Sequence, residues 1–225
     1  MSGNSMASDA DGSTQTVSAL TAHLSLVTDL ENAIALGSPK RRAAMLLHVT
    51  DLFIRGSDQF TENEIDLFDE VFTRLASGID VTLRLLLAEN LAFVANAPRK
   101  ITRMLANDED IKVSYPILVH STRLDDVEIA SIVRTKGQAH LLAVSRRKSV
   151  TEAVTEELVE RGNKQVLASV MANPGARFSH AGFTLLAEHS HGDAVLADNL
   201  QVKRQYSLVE PCFLFGGNEV PQLAV

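Results

Sequence analysis

The sequence predicts an all-α fold, and three features carry that expectation. Apolar residues recur on a helical period from about Leu20 to Leu200, the spacing that lines them up on one face of a 3.6-residue turn. A large apolar residue, a capping residue and a second large apolar residue recur together at fixed offsets in three places, which is how many helices begin. Strand-like alternation is confined to short pieces such as residues 112–115, and Pro116 there suits a helix kink or start better than a sheet.

The elements follow in chain order. Residues 1–18 are rich in Ser, Asp, Gly and Thr; they hold too little apolar surface to offset the entropy of ordering and read as a disordered tail. They also lack the basic and apolar runs of a secretion signal. Residues 19–204 read as a helical-repeat domain, and 205–225 as an irregular apolar C-terminal segment. After Ser38, the residues Ala43, Leu46, Val49 and Phe53 form one amphipathic stripe. Ser38 is placed to cap that helix, Pro39 to occupy its first position and Gly56 to stop it. Between Ser149 and Gly162, Ser149 and Glu152 have capping-box spacing, while Val150, Val154 and Leu158 line one face.

The three repeated starts are Phe60-Thr61-Glu62-Asn63-Glu64-Ile65, Leu124-Asp125-Asp126-Val127-Glu128-Ile129 and Phe178-Ser179-His180-Ala181-Gly182-Phe183. Each has the spacing of a hydrophobic staple, and Glu64 and Glu128 complete a capping box in the first two. A second helical segment follows each, at 82–96, 138–147 and 191–200, and further helices are expected at 100–106, 111–121 and 163–172. The copies begin 64 and then 54 residues apart. Short amphipathic helices joined by tight turns predict an α-solenoid in which each pair buries its stripe on the next.

Several stretches then resemble a known family. Asp51-Leu52-Phe53, residues 60–76, Leu87-Ala88-Glu89-Asn90-Leu91-Ala92, residues 105–118, His140-Leu141-Leu142-Ala143-Val144 with Arg146-Arg147, and residues 158–179 with Ala172-Asn173-Pro174-Gly175-Ala176-Arg177 are similar to the bacterial family called domain of unknown function 2336. The similarity spans about residues 38–200. It implies a run of HEAT-like or leucine-rich-variant helical repeats, here an α-solenoid of HEAT-like helical pairs, with structural motifs and no catalytic residue to carry over. After about Gln201 the chain departs from the Arg-Asp-Leu-Pro-Pro type of continuation associated with that family.

Charge and composition narrow the function. The 225 residues carry 21 Lys and Arg against 28 Asp and Glu, a formal net charge of −7. Residues 1–95 hold 13 acids and 6 bases, and 96–225 hold 15 of each. Nucleic-acid binding and attachment to anionic membranes are disfavoured by this balance. The most apolar stretch, residues 83–97, is interrupted by Arg84, Glu89 and Asn90 and falls short of a membrane span. A cytoplasmic protein is expected. The single cysteine, Cys212, excludes an internal disulfide and a multi-cysteine zinc site.

No residue set reads as catalytic, metal-binding or cofactor-binding. His180, His189 and His191 cluster in sequence, and Glu188-His189-Ser190-His191 contains one Glu-x-x-His, but helical carboxylate metal sites need two copies and two further carboxylates. At about 100° per residue His189 also lies roughly 180° from His180. Glu152, Glu156 and Glu160 form a carboxylate row pointing away from Val150, Val154 and Leu158, which suits a solvated face. Cys212 has no base nearby in sequence, and Gly216-Gly217 lacks the Lys-Ser/Thr of a phosphate loop. His140 sits in an apolar run and reads as core. The densest cationic run is Arg146-Arg147-Lys148, with Arg134 and Lys136 not far before it. Cations suit helix C-termini, and the run is also where an anionic surface of a protein partner would bind. The expected function is thus a scaffold or adaptor for protein partners, neither enzyme nor cofactor carrier. A DNA-acting repeat protein, which would need a basic groove, and an enzyme or small-ligand receptor with a pocket between repeats are the alternatives.

Overall fold

In the computed structural model of the protein, residues 38–189 and 200–201 are described. Among them the fold is all-helical and no strand forms. The tail at 1–18, the stretch from there to residue 37, the helix expected at 191–200 apart from Leu200, and the segment 205–225 lie outside those residues. The chain divides into two compact units between Ile117 and Leu118.

The first unit contains α1 (Pro39–Gly56), a 3-10 turn (Ser57–Gln59), α2 (Glu62–Ala76), α3 (Val81–Leu91), α4 (Arg99–Ala106) and most of α5 (Ile111–His120). The expected stripe on α1 is the buried one: Leu46, Val49 and Phe53 are each within 1% of full burial. Phe53 anchors a ring cluster, with centroids 5.1 Å from Phe68, 5.8 Å from Phe72 and 5.9 Å from Phe60. At Gly56, the last residue of α1, a Cβ would sit 2.5 Å from the Phe60 ring, so a larger residue there would have to displace that ring. The Ser38 hydroxyl makes no cap bond, contrary to expectation; its carbonyl instead accepts from the amides of Arg41 and Arg42, and Pro39 opens the helix.

At α2 the capping box is complete. The Thr61 hydroxyl accepts from the Glu64 amide, and the Glu64 carboxylate accepts from the Thr61 amide at 2.8 Å. The helix expected over 82–96 ends at Leu91, and the chain leaves through turns in which Asn96 donates to the Ser57 carbonyl. The following helix, α4, has as its N-cap Pro98, which brings no capping side chain. Asp69 on α2 replaces it from a distance: its carboxylate accepts from the amides of Lys100 at 2.7 Å and Ile101 at 2.8 Å. A carboxylate that is only 2% exposed is tolerable there because it meets otherwise unpaired N–H groups at the positive end of a helix. Helix α1 packs on α2 and α3, while α4 packs on α2 and α3.

The second unit contains α6 (Asp126–Thr135), α7 (Gln138–Ser145), α8 (Glu152–Arg161), α9 (Lys164–Ala172) and α10 (His180–His189). Two of the expected staples open helices here. Asp125 and Glu128 form a reciprocal capping box, both bonds 2.8 Å. Ser179 accepts from the Gly182 amide at 3.0 Å, beneath Phe178 and Phe183 whose centroids are 5.3 Å apart.

Helix α8 corrects the reading of its start. The N-cap is Thr151, and Ser149 and Glu152 form no capping box. The backbone of Val150 is engaged elsewhere, in an isolated parallel bridge with Ala176: its amide donates to the Gly175 carbonyl at 3.1 Å, and its carbonyl accepts from the Arg177 amide at 2.9 Å. Val150, Val154 and Leu158 are nevertheless buried together with the core. Residues 112–115, the short alternating piece, lie inside α5, with Pro116 in the helix interior.

Packing in this unit skips one helix at a time. Helix α6 packs on α8 and α8 on α10, while α7 packs on α9, with α6 beside α7 and α8 beside α9. The apolar residues that precede the caps, Leu124, Val150 and Phe178, stand 26 and 28 residues apart.

Candidate partner-binding surface

Helix α7 ends at Ser145, and the basic run follows on the turn, where the Arg146 and Arg147 amides bond back to Ala143 and Val144. The turn separates the three cations. Arg146 and Lys148 are exposed, whereas Arg147 is turned in. Its guanidinium donates to the carbonyls of Leu118 and Ser121 at the end of α5. Burial pushes the Arg147 pKa down, opposed by the nearby Asp126 carboxylate. Arg147 is thus a cation on a helix C-terminus, the position the helix dipole favours, although the helix is α5 and not its own. Of the run Arg146-Arg147-Lys148, the two exposed side chains are therefore Arg146 and Lys148, and Arg147 is half-buried between them.

The same turn is held from the other side by Asn173. Its amide nitrogen donates to the carbonyls of Ser145 at 2.8 Å and Arg147 at 2.7 Å, and its oxygen accepts from the Gly175 amide at 2.8 Å. Two equivalent ties result: Arg147 reaches back 26 residues to Ser121, and Asn173 reaches back 26 residues to Arg147. Gly175 is pressed so close that a Cβ would lie 1.9 Å from the Lys148 carbonyl oxygen. The Ala-Asn-Pro-Gly-Ala-Arg stretch that carries part of the family resemblance is therefore a structural clasp.

Other polar residues of the unit make similar links. Arg134 pairs with Glu157, which raises its pKa, so it does not extend the basic run. Arg161 donates to the Val133 carbonyl, and the Gln138 amide bridges the Arg161 carbonyl and the Asn163 amide, both at 2.8 Å. Of the carboxylate row, Glu152 and Glu160 are exposed while Glu156 is half-buried and accepts from the Ser179 hydroxyl. His140 is buried at 6% exposure, in keeping with a core role. Lys136 is half-buried.

His180 and His189 are exposed at opposite ends of α10, and Glu188 is exposed beside the latter. Among the described residues no three His, Cys, Asp or Glu side chains come together as a metal site. His191, Cys212, Gly216 and Gly217 lie outside the described residues. No described helix is long and apolar enough to cross a membrane.

A feature not foreseen from sequence lies in the first unit. Leu85, Glu89, Ile111, Lys112, Tyr115 and Pro116 line an open cleft of about 350 Å³ between α3 and α5. The one local signal for it is Pro116, whose position inside a helix was legible but whose neighbour across the cleft was not.

Over the described residues these observations define an all-helical fold whose second unit is built from alternately packed helices tied at the turns. Residues 113–207 match the model of the family described as "Uncharacterised protein conserved in bacteria (DUF2336)", so over that span the chain is similar to that family. The match takes in every described helix of the second unit and does not extend over residues 38–112. No curated protein and no solved structure matches the chain.

Proposed function

We propose that the protein is a non-catalytic, cytoplasmic scaffold or adaptor, a solenoid of HEAT-like helical pairs that binds protein partners. The observation that supports this reading best is the skipped packing of α6, α8 and α10 and of α7 and α9, with turns tied 26 residues apart. Stacked pairs of this kind present extended, fixed surfaces. Polar side chains that could serve chemistry, among them Arg147, Asn173, Arg161 and Glu156, are engaged in holding one pair to the next. Arg146 and Lys148 stand exposed on the edge so fixed, and an acidic partner surface is their complement.

The test separates surface from structure. The double variant Arg146→Glu/Lys148→Glu should stay within about 0.5 kcal/mol of wild-type stability. It should lose or weaken partners that the wild type captures from its source cell, and association with them should slow as salt is raised. Arg147→Glu should instead destabilise by about 3–5 kcal/mol, because it removes the donors to Leu118 and Ser121 and leaves an unpaired charge partly buried. A folded double variant that retains every partner, or turnover that tracks the purified protein, would overturn the proposal.

A further inference from the structure

We infer that the cleft between α3 and α5 binds a short peptide segment of a partner protein, one carrying a large apolar side chain between a basic and an acidic residue. The inference rests on the adaptor reading and adds to it the chemistry of what is bound. Leu85, Ile111 and Pro116 supply apolar lining, and the cleft's volume of about 350 Å³ lies at the lower end of the range of ligand pockets. An apolar side chain is therefore the group whose burial the cleft rewards.

The rim supplies direction. Glu89 on α3 and Lys112 on α5 both line the cleft, both are exposed, and among the described residues no ion pair joins them to each other or to a third group. A bound segment with a base toward Glu89 and an acid toward Lys112 matches this polarity, and the reversed segment meets like charge at both ends. Pro116 adds a backbone contact. It has no N–H, so the carbonyl of Lys112, one turn earlier on the same helix face, loses the donor that an unbroken helix would supply. A peptide N–H is the natural replacement, as in other modes of recognition that combine a main-chain bond with a side-chain pocket.

Selection of a displayed random-peptide library on the purified full chain tests this. Wild type should enrich segments with one large apolar residue flanked by a base and an acid. Glu89→Lys or Lys112→Glu alone should weaken those peptides by up to about fivefold, the range of exposed ion pairs. The double exchange Glu89→Lys/Lys112→Glu should select the opposite order of charges. The inference is overturned if nothing is enriched over the double exchange, if both proteins enrich the same sequences, or if apolar peptides bind without any charge order. It is also overturned if self-association of the chain occupies the cleft, read as protection of Tyr115 that depends on protein concentration. Because Arg146 and Lys148 are untouched, failure here leaves partner capture through those residues standing, and failure there leaves this selection interpretable.

Discussion

Phe53→Ala should unfold the first unit at a markedly lower denaturant concentration, with a loss of about 3–5 kcal/mol, the range for deleting a fully buried ring. The ring is 0% exposed and touches three others, Phe60, Phe68 and Phe72, so truncation forfeits its own transfer energy and leaves its partners facing a void. Such ring pairs contribute beyond the area they bury. Measured by chemical denaturation with the slope unchanged, a loss below about 1 kcal/mol would mean that the rings do not form one cluster.

Gly175→Ala should be nearly as damaging, at about 2–4 kcal/mol, although it adds a single methyl group to a half-buried turn. The backbone conformation is not the obstacle; the obstacle is the Lys148 carbonyl, 1.9 Å from the new carbon. Since that neighbour is main chain, relief requires the two turns to part, which breaks the bonds from Val150 to Gly175 and from Arg177 to Val150 and leaves buried groups unpaired. Thermal unfolding checks the size of the effect, and a variant as stable as wild type would show that the clasp is looser than described.

These two sites also show what was legible in the sequence. The stripe containing Phe53 and the starts at Thr61, Asp125 and Ser179 are set by contacts within five residues, so local spacing identifies them. At α8 the spacing points to the wrong start: Ser149 and Glu152 have the identities and spacing of a capping box, while the deciding contact comes from Gly175 and Arg177, far along the chain. The same limit applies to the basic run. Three adjacent cations look alike in sequence, and only the carbonyls of Leu118 and Ser121 distinguish Arg147 from its neighbours. The 26-residue recurrence leaves no sequence pattern because its members are chemically unlike: Asp125 and Thr151 as N-caps, Arg147 and Asn173 as ties. Of the cleft only Pro116 left a mark in the sequence, since α3 and α5 are separated by a whole helix along the chain.

The central claim is that ties between successive turns hold the helix pairs of the second unit and fix the edge bearing Arg146 and Lys148. Amide hydrogen exchange of Asn173→Ala against wild type tests it most directly, because exchange reads local opening residue by residue. Faster exchange is expected at Val150, Gly175 and Arg177, whose bonds depend on the clasp, with the helices of the first unit unchanged. Unaltered protection at those three amides, or an equal rise across both units, would contradict it.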